Sequence, residues 1–306
     1  MIKSRDADLS IWPALSDYLM TGPRVAGGRG QHTPARFPGV DKETDMKGTN
    51  RVISRDGTTI AFDRTGQGPP VILVEAAGHF RGFSSFDGLV PLLSREFTVY
   101  TYDRRGRGES TDSTPYAPER EVEDLEALIA ESGGGTSAYG YSSGALLALQ
   151  AAAHGVPLTR LALLEPPLQE DGAVAPDPLT AELAELVAAG RRSDAVEHFQ
   201  QSIGVPTELI DEMRGTPQWA SMESVAHTLV YDCTIIDTTT STLLRSVVVP
   251  TLVLDSEDST DNLTGWAERV ARQLPHASHR SLAGEWHSIP DDVLAPVLVE
   301  FFTAVE

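Results

Sequence analysis

From about residue 50 onward, short apolar runs alternate with segments in which apolar residues recur every three or four positions. The runs 71–75 (VILVE) and 97–102 (FTVYTY) are mostly apolar, which is typical of strands buried on both faces. The periodic segments predict helices that cover those strands. Strands and helices that alternate along a chain favour an α/β fold with a mostly parallel sheet and helices on both faces.

Turn and cap signals set the bounds of these elements. Segment 118–131 shows them best: Pro118 opens the segment, acidic residues crowd its first turn, and Gly133-Gly134-Gly135 follows its end. Eight strands are predicted, at 51–54, 58–63, 71–75, 97–102, 136–140, 160–165, 248–254 and 277–282. Helices are predicted at 86–95, 118–131, 143–153, 178–189, 192–203, 206–214, 217–230, 261–274 and 290–304.

The alternation is interrupted twice, and the interruptions suggest a domain organisation. Residues 1–45 include a stretch rich in glycine and proline that resists both helix and strand, and we expect a loosely attached arm. Residues 168–247 are helical in pattern without strands. We therefore predict one α/β core, 46–167 with 248–306, and a helical cap at 168–247 inserted after the sixth strand of an eight-stranded sheet.

Charge and cysteine content narrow the function classes. The 306 residues include 44 acidic and 24 basic residues, a formal net charge of −20, which argues against binding to nucleic acid or to an anionic membrane surface. The single cysteine, Cys233, cannot form an internal disulfide or a usual four-ligand zinc site. With no signal-peptide core and no membrane-spanning apolar stretch, we expect a cytoplasmic protein.

One short motif indicates a catalytic nucleophile. Residues 140–144 read Gly-Tyr-Ser-Ser-Gly, a G-x-S-x-G pattern between a predicted strand and an Ala/Leu-rich helix. This strand–turn–helix is the context that a nucleophile elbow requires, with Ser142 held out at the edge of the sheet. The N-terminus of the following helix favours negative charge on a bound oxygen atom.

Residues 50–306 resemble the α/β-hydrolase superfamily, in particular its cap-bearing serine hydrolases of the esterase and lactonase type. Besides the G-x-S-x-G motif, residues 103–110 (DRRGRGES) are similar to the D-x-R-G-x-G-x-S loop that follows the fourth strand in many members. The resemblance implies a structural role for that loop. It also implies that Ser142 is the nucleophile and that His287, between the last strand and the last helix, is the base.

The acid of the implied catalytic triad has candidates at two places. The common position after the seventh strand holds Ser259 instead of an acid, and Asp258 or Asp255 could serve there after a one-residue shift or a local bend. Some members, among them certain lactone hydrolases, carry the acid at the end of the sixth strand, where this chain has Glu165. We favour Glu165 and keep Asp258 as the alternative.

The resemblance also implies an oxyanion hole formed by the backbone N–H groups of Ser143 and Ala77. Relatives often have His-Gly where this chain has Glu75-Ala76, and a carboxylate near a developing oxyanion would be repulsive. Glu75 is therefore expected to point away, to be paired or to have a special role. We predict substrate contacts at Phe80, Tyr141, Trp219, Met222 and His227.

Together these features predict a serine hydrolase that cleaves a carboxylic ester or lactone of an apolar small molecule, with no metal or organic cofactor. A serine at position 142 argues against dehalogenase and epoxide-hydrolase chemistry, because those relatives use an aspartate there. Open alternatives are a thioesterase, a C–C hydrolase, a cyclase, a cofactor-free oxygenase and a non-catalytic ligand-binding protein. A homo-oligomer is compatible with the sequence.

Overall fold

A computed structural model describes residues 50–168, 178–259 and 261–304. All eight predicted strands are present in that part of the chain. They are β1 (Asn50–Ile53), β2 (Thr59–Thr65), β3 (Pro70–Val74), β4 (Thr98–Tyr102), β5 (Thr136–Tyr141), β6 (Leu158–Leu164), β7 (Thr251–Ser256) and β8 (Ala277–Leu282).

The strands form one sheet in the order β1-β2-β4-β3-β5-β6-β7-β8. β2 pairs antiparallel with both β1 and β4, and all the other neighbours are parallel. The predicted α/β class with a mostly parallel sheet is confirmed. In such a sheet the carboxyl ends of the parallel strands share one edge, and the loops that leave this edge build the site described below.

Alternate residues of the central strands belong to two separate cores. In β3, Ile72 and Val74 pack into one apolar cluster, whereas Val71 and Leu73 pack into the other. This follows from the two-residue period of a strand, and it explains why the central strands are apolar at nearly every position.

The described helices cover both faces of the sheet and fill the segment between β6 and β7. They are α1 (Leu89–Leu93), α2 (Pro118–Glu131), α3 (Ser143–Ala153), α4 (Pro178–Ala188), α5 (Arg192–Ser202), α6 (Thr207–Met213), α7 (Pro217–Ser224), α8 (Leu229–Thr238), α9 (Ser241–Leu244), α10 (Asp261–Gln273) and α11 (Asp291–Thr303). No described helix has the length and apolar character needed to cross a membrane.

Helices α4 to α9 lie between β6 and β7 in the chain, and several of them share a third apolar cluster that includes Leu183, Phe199 and Ile210. The prediction of one helix over 217–230 is wrong: α7 ends at Ser224, and a short 3-10 turn (Ala226–Thr228) precedes α8. The domain boundaries stay a prediction, and the proposed arm, 1–45, lies outside the described residues.

Candidate active site

Ser142 lies in a sharp turn between β5 and α3. Its backbone has φ 54° and ψ −122°, a conformation that non-glycine residues rarely adopt. Its N–H donates to the carbonyl oxygen of Leu164 at 3.0 Å, which connects the turn to the end of β6. The turn therefore holds Ser142 at the carboxyl edge of the sheet.

Two glycines on either side of Ser142 make this turn sterically feasible. A Cβ atom on Gly140 would lie 2.6 Å from the Cα of Ala145, and one on Gly144 would lie 2.3 Å from the carbonyl oxygen of Val74. The obstacles are backbone atoms, which cannot move aside as a flexible side chain would. The close packing of α3 against β3 and β5 thus requires glycine at both positions.

Backbone strain is found at three residues that are candidates for catalysis. Among the described residues, the non-glycine residues with positive φ are Ser142 (54°), Glu165 (43°) and His287 (53°). Such conformations cost on the order of 1–3 kcal/mol each, and they cluster at active sites and ligand sites. The three strained residues therefore point to one functional site.

Glu165 and His287 form a direct pair. The distance between Glu165 Oε2 and His287 Nδ1 is 2.5 Å, and the Glu165 side chain is fully buried. A carboxylate accepts only, so Nδ1 carries the proton in this pair. The Nε2 atom of a neutral His287 then keeps its lone pair, as a general base requires.

The second oxygen of Glu165 is also satisfied. Oε1 accepts from the N–H of Ser256 at 2.9 Å and from the hydroxyl of Ser259 at 2.5 Å. The Ser259 hydroxyl in turn accepts from the backbone N–H of His287 at 3.0 Å. Ser259 therefore connects both members of the pair, although it stands where many relatives carry the acid itself.

Tyr141, the residue before the Ser142 turn, contacts His287. Its hydroxyl donates to the backbone carbonyl of His287 at 2.6 Å, and the two rings are 4.9 Å apart between centroids. Because Tyr141 directly precedes Ser142, this contact joins the backbone of His287 to the residue before the turn. Tyr141 therefore supports His287 from the end of β5.

The alternative acids lie elsewhere. Asp258 is exposed in the turn after β7. Asp255 is buried, and its Oδ2 atom is 2.7 Å from the Nε2 atom of His279 on β8. The carboxylate on the His287 ring nitrogen is that of Glu165.

The loop after β3, residues 75–79, packs against the start of α3. A Cβ on Gly144 would lie 2.5 Å from the carbonyl oxygen of Glu75, so the loop and the first turn of α3 are in direct contact. The Nη1 atom of Arg107 donates to the carbonyl oxygens of Ala76 and His79 at 2.8 and 3.0 Å. This buried guanidinium orients the loop that contains Ala77.

Glu75 is paired within its own loop. Its Oε1 atom accepts from the hydroxyl of Ser84 at 2.5 Å and from the N–H of Ser85 at 3.0 Å, while Oε2 is buried with no hydrogen-bond partner among the described residues. Burial raises the pKa of Glu75 to about 7, against the lowering effect of these hydrogen bonds. Of the three expectations for Glu75, the structure shows a paired side chain.

A family model described as the alpha/beta hydrolase family matches residues 71–297. The chain belongs to this family. It is also similar to the crystal structure of an alpha/beta hydrolase from Sphaerobacter thermophilus, with 45% identity over 83% of this chain and 100% of that one, and a TM-score of 0.76. The enol-lactonase from Burkholderia xenovorans shares the fold at 20% identity, over 83% of this chain and 100% of that one, with a TM-score of 0.63.

One curated relative is named as an oxidoreductase and not as a hydrolase. The "Probable oxidoreductase EphD" of Mycobacterium tuberculosis is 38% identical over 85 aligned residues, in a match that covers 26% of this alpha/beta hydrolase and 14% of that protein. The chain thus covers a small part of that relative's length, and the match concerns a short shared segment.

The residues predicted to contact substrate in this alpha/beta hydrolase lie in different surroundings. Trp219 and Met222 are buried in the apolar cluster of the helical segment, where the indole N–H donates to Ser193 and Glu223 at 2.9 and 3.0 Å. The Nε2 atom of His227 lies 3.7 Å from the Oδ2 atom of Asp112. Phe80 pairs with Phe83 through its backbone in the loop after β3. A substrate role for these four side chains, and for Tyr141, stays a prediction.

His79 belongs to the loop after β3. Its Nδ1 atom is 2.9 Å from the carbonyl oxygen of Ala77, and its ring stacks on Phe83 with centroids 4.8 Å apart. Burial is the main cause that lowers the pKa of His79 to about 4. The imidazole is therefore neutral at pH 7, donates through Nδ1 and keeps Nε2 as an acceptor.

Three further residues contribute to the site without a sequence signal that predicts such a role: Ser259, Arg107 and Asp232. Ser259 stands in place of an expected acid, and Arg107 belongs to a loop with an implied structural role. Asp232 carried no local signal, since its importance comes from residues more than a hundred positions away. In the described ranges, no group of three or more His, Cys, Asp or Glu side chains is arranged to hold a metal ion.

Proposed function

We propose that this alpha/beta hydrolase is a serine hydrolase that cleaves a carboxylic ester or lactone of an apolar small molecule. The observation that carries the proposal is the 2.5 Å contact between Glu165 and the Nδ1 atom of His287, taken together with the strained turn at Ser142. This combination supports a hydroxyl nucleophile, an imidazole base and an orienting carboxylate.

In the proposed reaction, the hydroxyl oxygen of Ser142 attacks the substrate carbonyl while His287 takes the hydroxyl proton. Glu165 stabilises the resulting imidazolium. The backbone N–H groups of Ser143 and Ala77 stabilise the oxyanion. His287 then protonates the leaving alkoxide, and an acyl-enzyme remains. A water molecule, deprotonated by His287, attacks this ester, and the acid departs as the proton returns to Ser142.

The apolar surroundings support the substrate class. Trp286 lies next to His287, with ring centroids 5.5 Å apart. Trp286, Phe83 and Ala77 also pack against the apolar cluster of the helical segment. An acyl or alkyl group bound there would be largely removed from water. The enol-lactonase of Burkholderia xenovorans has the same fold and, by its name, acts on a cyclic ester.

Labelling with a fluorophosphonate tests the proposal, because this reagent phosphonylates only an activated serine. We expect stoichiometric labelling of the wild type and no labelling of Ser142→Ala. Ser221→Ala is the control: the Ser221 hydroxyl is exposed on α7, and its loss should leave labelling stoichiometric. A panel of p-nitrophenyl esters, thioesters and lactones then identifies the bond that is cleaved. Absence of both labelling and turnover in the wild type, together with tight ligand binding, would instead support the ligand-binding alternative.

A further inference from the structure

A buried acidic residue of the helical segment lies behind the proposed oxyanion hole. Asp232 on α8 is fully buried, and Ser143, the first residue of α3, donates its hydroxyl proton to Asp232 Oδ1 at 2.8 Å. Arg104 donates to the same oxygen at 2.6 Å, and Arg107 donates to Oδ2 at 2.7 Å. The carboxylate therefore has three side-chain donors.

Arg107 links this carboxylate to the other half of the hole. While its Nη2 atom faces Asp232, its Nη1 atom donates to the carbonyl oxygens of Ala76 and His79. The Ala76 carbonyl and the Ala77 N–H belong to one peptide group. A cation bound to the carbonyl oxygen polarises that group and makes its N–H a stronger donor. Arg107 thus both orients and strengthens the proposed Ala77 donor.

We infer that Asp232 is a positioning residue of the oxyanion hole, because it connects Ser143 directly and Ala77 through Arg107. The inference rests on the proposed function, since it assigns a role within the same site. It also gives helix α8 a role in the chemistry: the segment between β6 and β7 supplies the carboxylate that aligns two donors carried by other elements.

The charges around Asp232 are compatible with this role. Burial opposes its ionisation, but Arg107 and Arg104 together outweigh burial and keep the pKa of Asp232 below its ordinary value. Arg104 is also paired with Glu121 at 2.7 Å. The buried group therefore combines two guanidinium groups with two carboxylates, which leaves no net negative charge to repel a developing oxyanion.

Asp232→Asn tests the inference, and Asp124→Asn is the matched control. Asp124 is an equally buried carboxylate that binds the neighbouring Arg105 through two hydrogen bonds of 2.8 and 2.7 Å. We measure kcat and KM for p-nitrophenyl butyrate and the affinity for a trifluoromethyl ketone, which forms a tetrahedral oxyanion adduct. Asp232→Asn should lower kcat about 100-fold, near the effect of losing one oxyanion donor, with KM changed less than about threefold.

The same variant should weaken ketone binding by a similar factor. Asp124→Asn should lose thermal stability but keep kcat within about threefold. If Asp232→Asn folds and retains the kcat and ketone affinity of Asp124→Asn, the inference is wrong. If the wild type itself neither turns over esters nor reacts with a fluorophosphonate, the proposed function fails, and the inference fails with it.

Ser143→Ala keeps the inference testable should Asp232→Asn not fold. This variant removes only the hydroxyl that donates to Asp232 and keeps the backbone N–H of residue 143. We expect kcat to fall about tenfold and KM to stay constant. Ser137→Ala, which removes a buried hydroxyl bonded to Thr159 on β6, should leave kcat unchanged. Equal kcat in the two variants would overturn the inference.

Discussion

The carboxylate of Glu165 and the imidazole of His287 are separated by 122 positions in the chain, and they meet at 2.5 Å. Glu165 follows β6 and His287 follows β8, so both leave the same edge of the sheet. Ser259, in the turn after the intervening strand β7, bonds to both. The contact between Glu165 and His287 makes Glu165 the candidate acid of the site.

Glu165→Gln should lower kcat by about 10³- to 10⁴-fold, by analogy with the loss of the carboxylate in a serine protease triad. An amide in this position can donate to Nδ1 and thereby stabilise the wrong imidazole tautomer. Steady-state kinetics on the best ester from the substrate panel provide the measurement. Asp258→Asn, at an exposed site, is the control and should retain wild-type turnover. The opposite pattern would transfer the role of the acid to Asp258.

Ser259→Ala should lower kcat/KM about tenfold, because Glu165 and the His287 backbone each lose a hydrogen bond. The free energy of unfolding should fall by about 1 kcal/mol. Kinetics and thermal unfolding on the same sample separate the two effects. A variant with lower stability and full activity would show that Ser259 serves only the fold.

Glu75→Gln should be more stable than the wild type, and the difference in the free energy of unfolding should be larger at pH 8 than at pH 4. The pKa of Glu75 is raised from 4.5 to about 7 by burial, so the folded state binds the proton more tightly than the unfolded state does. The wild type therefore loses stability as the pH rises from about 4.5 to 7, by about 3 kcal/mol at 1.36 kcal/mol per pKa unit.

The glutamine variant cannot ionise and avoids this loss. Its advantage over the wild type in the free energy of unfolding should therefore grow across the same pH range. Urea unfolding at pH 4, 6 and 8 measures it. An advantage that does not change with pH would mean that Glu75 has an ordinary pKa in the folded protein.

Two glycine variants should change stability in opposite directions. Gly144→Ala places a Cβ 2.3 Å from the Val74 carbonyl oxygen. The required backbone shift should lower the free energy of unfolding by about 1–3 kcal/mol. It should also reduce kcat, because the loop with Ala77 is displaced. Gly265 lies within α10, and a Cβ added there would have no atom within 4 Å apart from its chain neighbours and the backbone of its own helix. Gly265→Ala should stabilise the protein by about 1 kcal/mol. Thermal unfolding of both variants checks the two signs.

Elements with strong local signals were predicted most accurately. The structure places α2 at Pro118–Glu131 and α3 at Ser143–Ala153, the ranges predicted from their proline, glycine and apolar spacing. Between residues 217 and 244 the local pattern was less informative. The chain there forms α7, a 3-10 turn, α8 and α9, and Thr228 bonds to the Val225 carbonyl at 2.8 Å, an alternative to continuous helical hydrogen bonding.

The strands, most of the helices and the turn at Ser142 follow from the sequence alone, because each depends on spacing and on residues close by in the chain. The candidate His287 comes from the resemblance to the α/β-hydrolase superfamily. Only the tertiary structure decided that Glu165 faces His287, that Glu75 bonds to Ser84 and that Asp232 connects Arg107 with Ser143. Buried charges are stable only beside their partners. Those partners come from distant elements, and the packing of the sheet and helices brings them together.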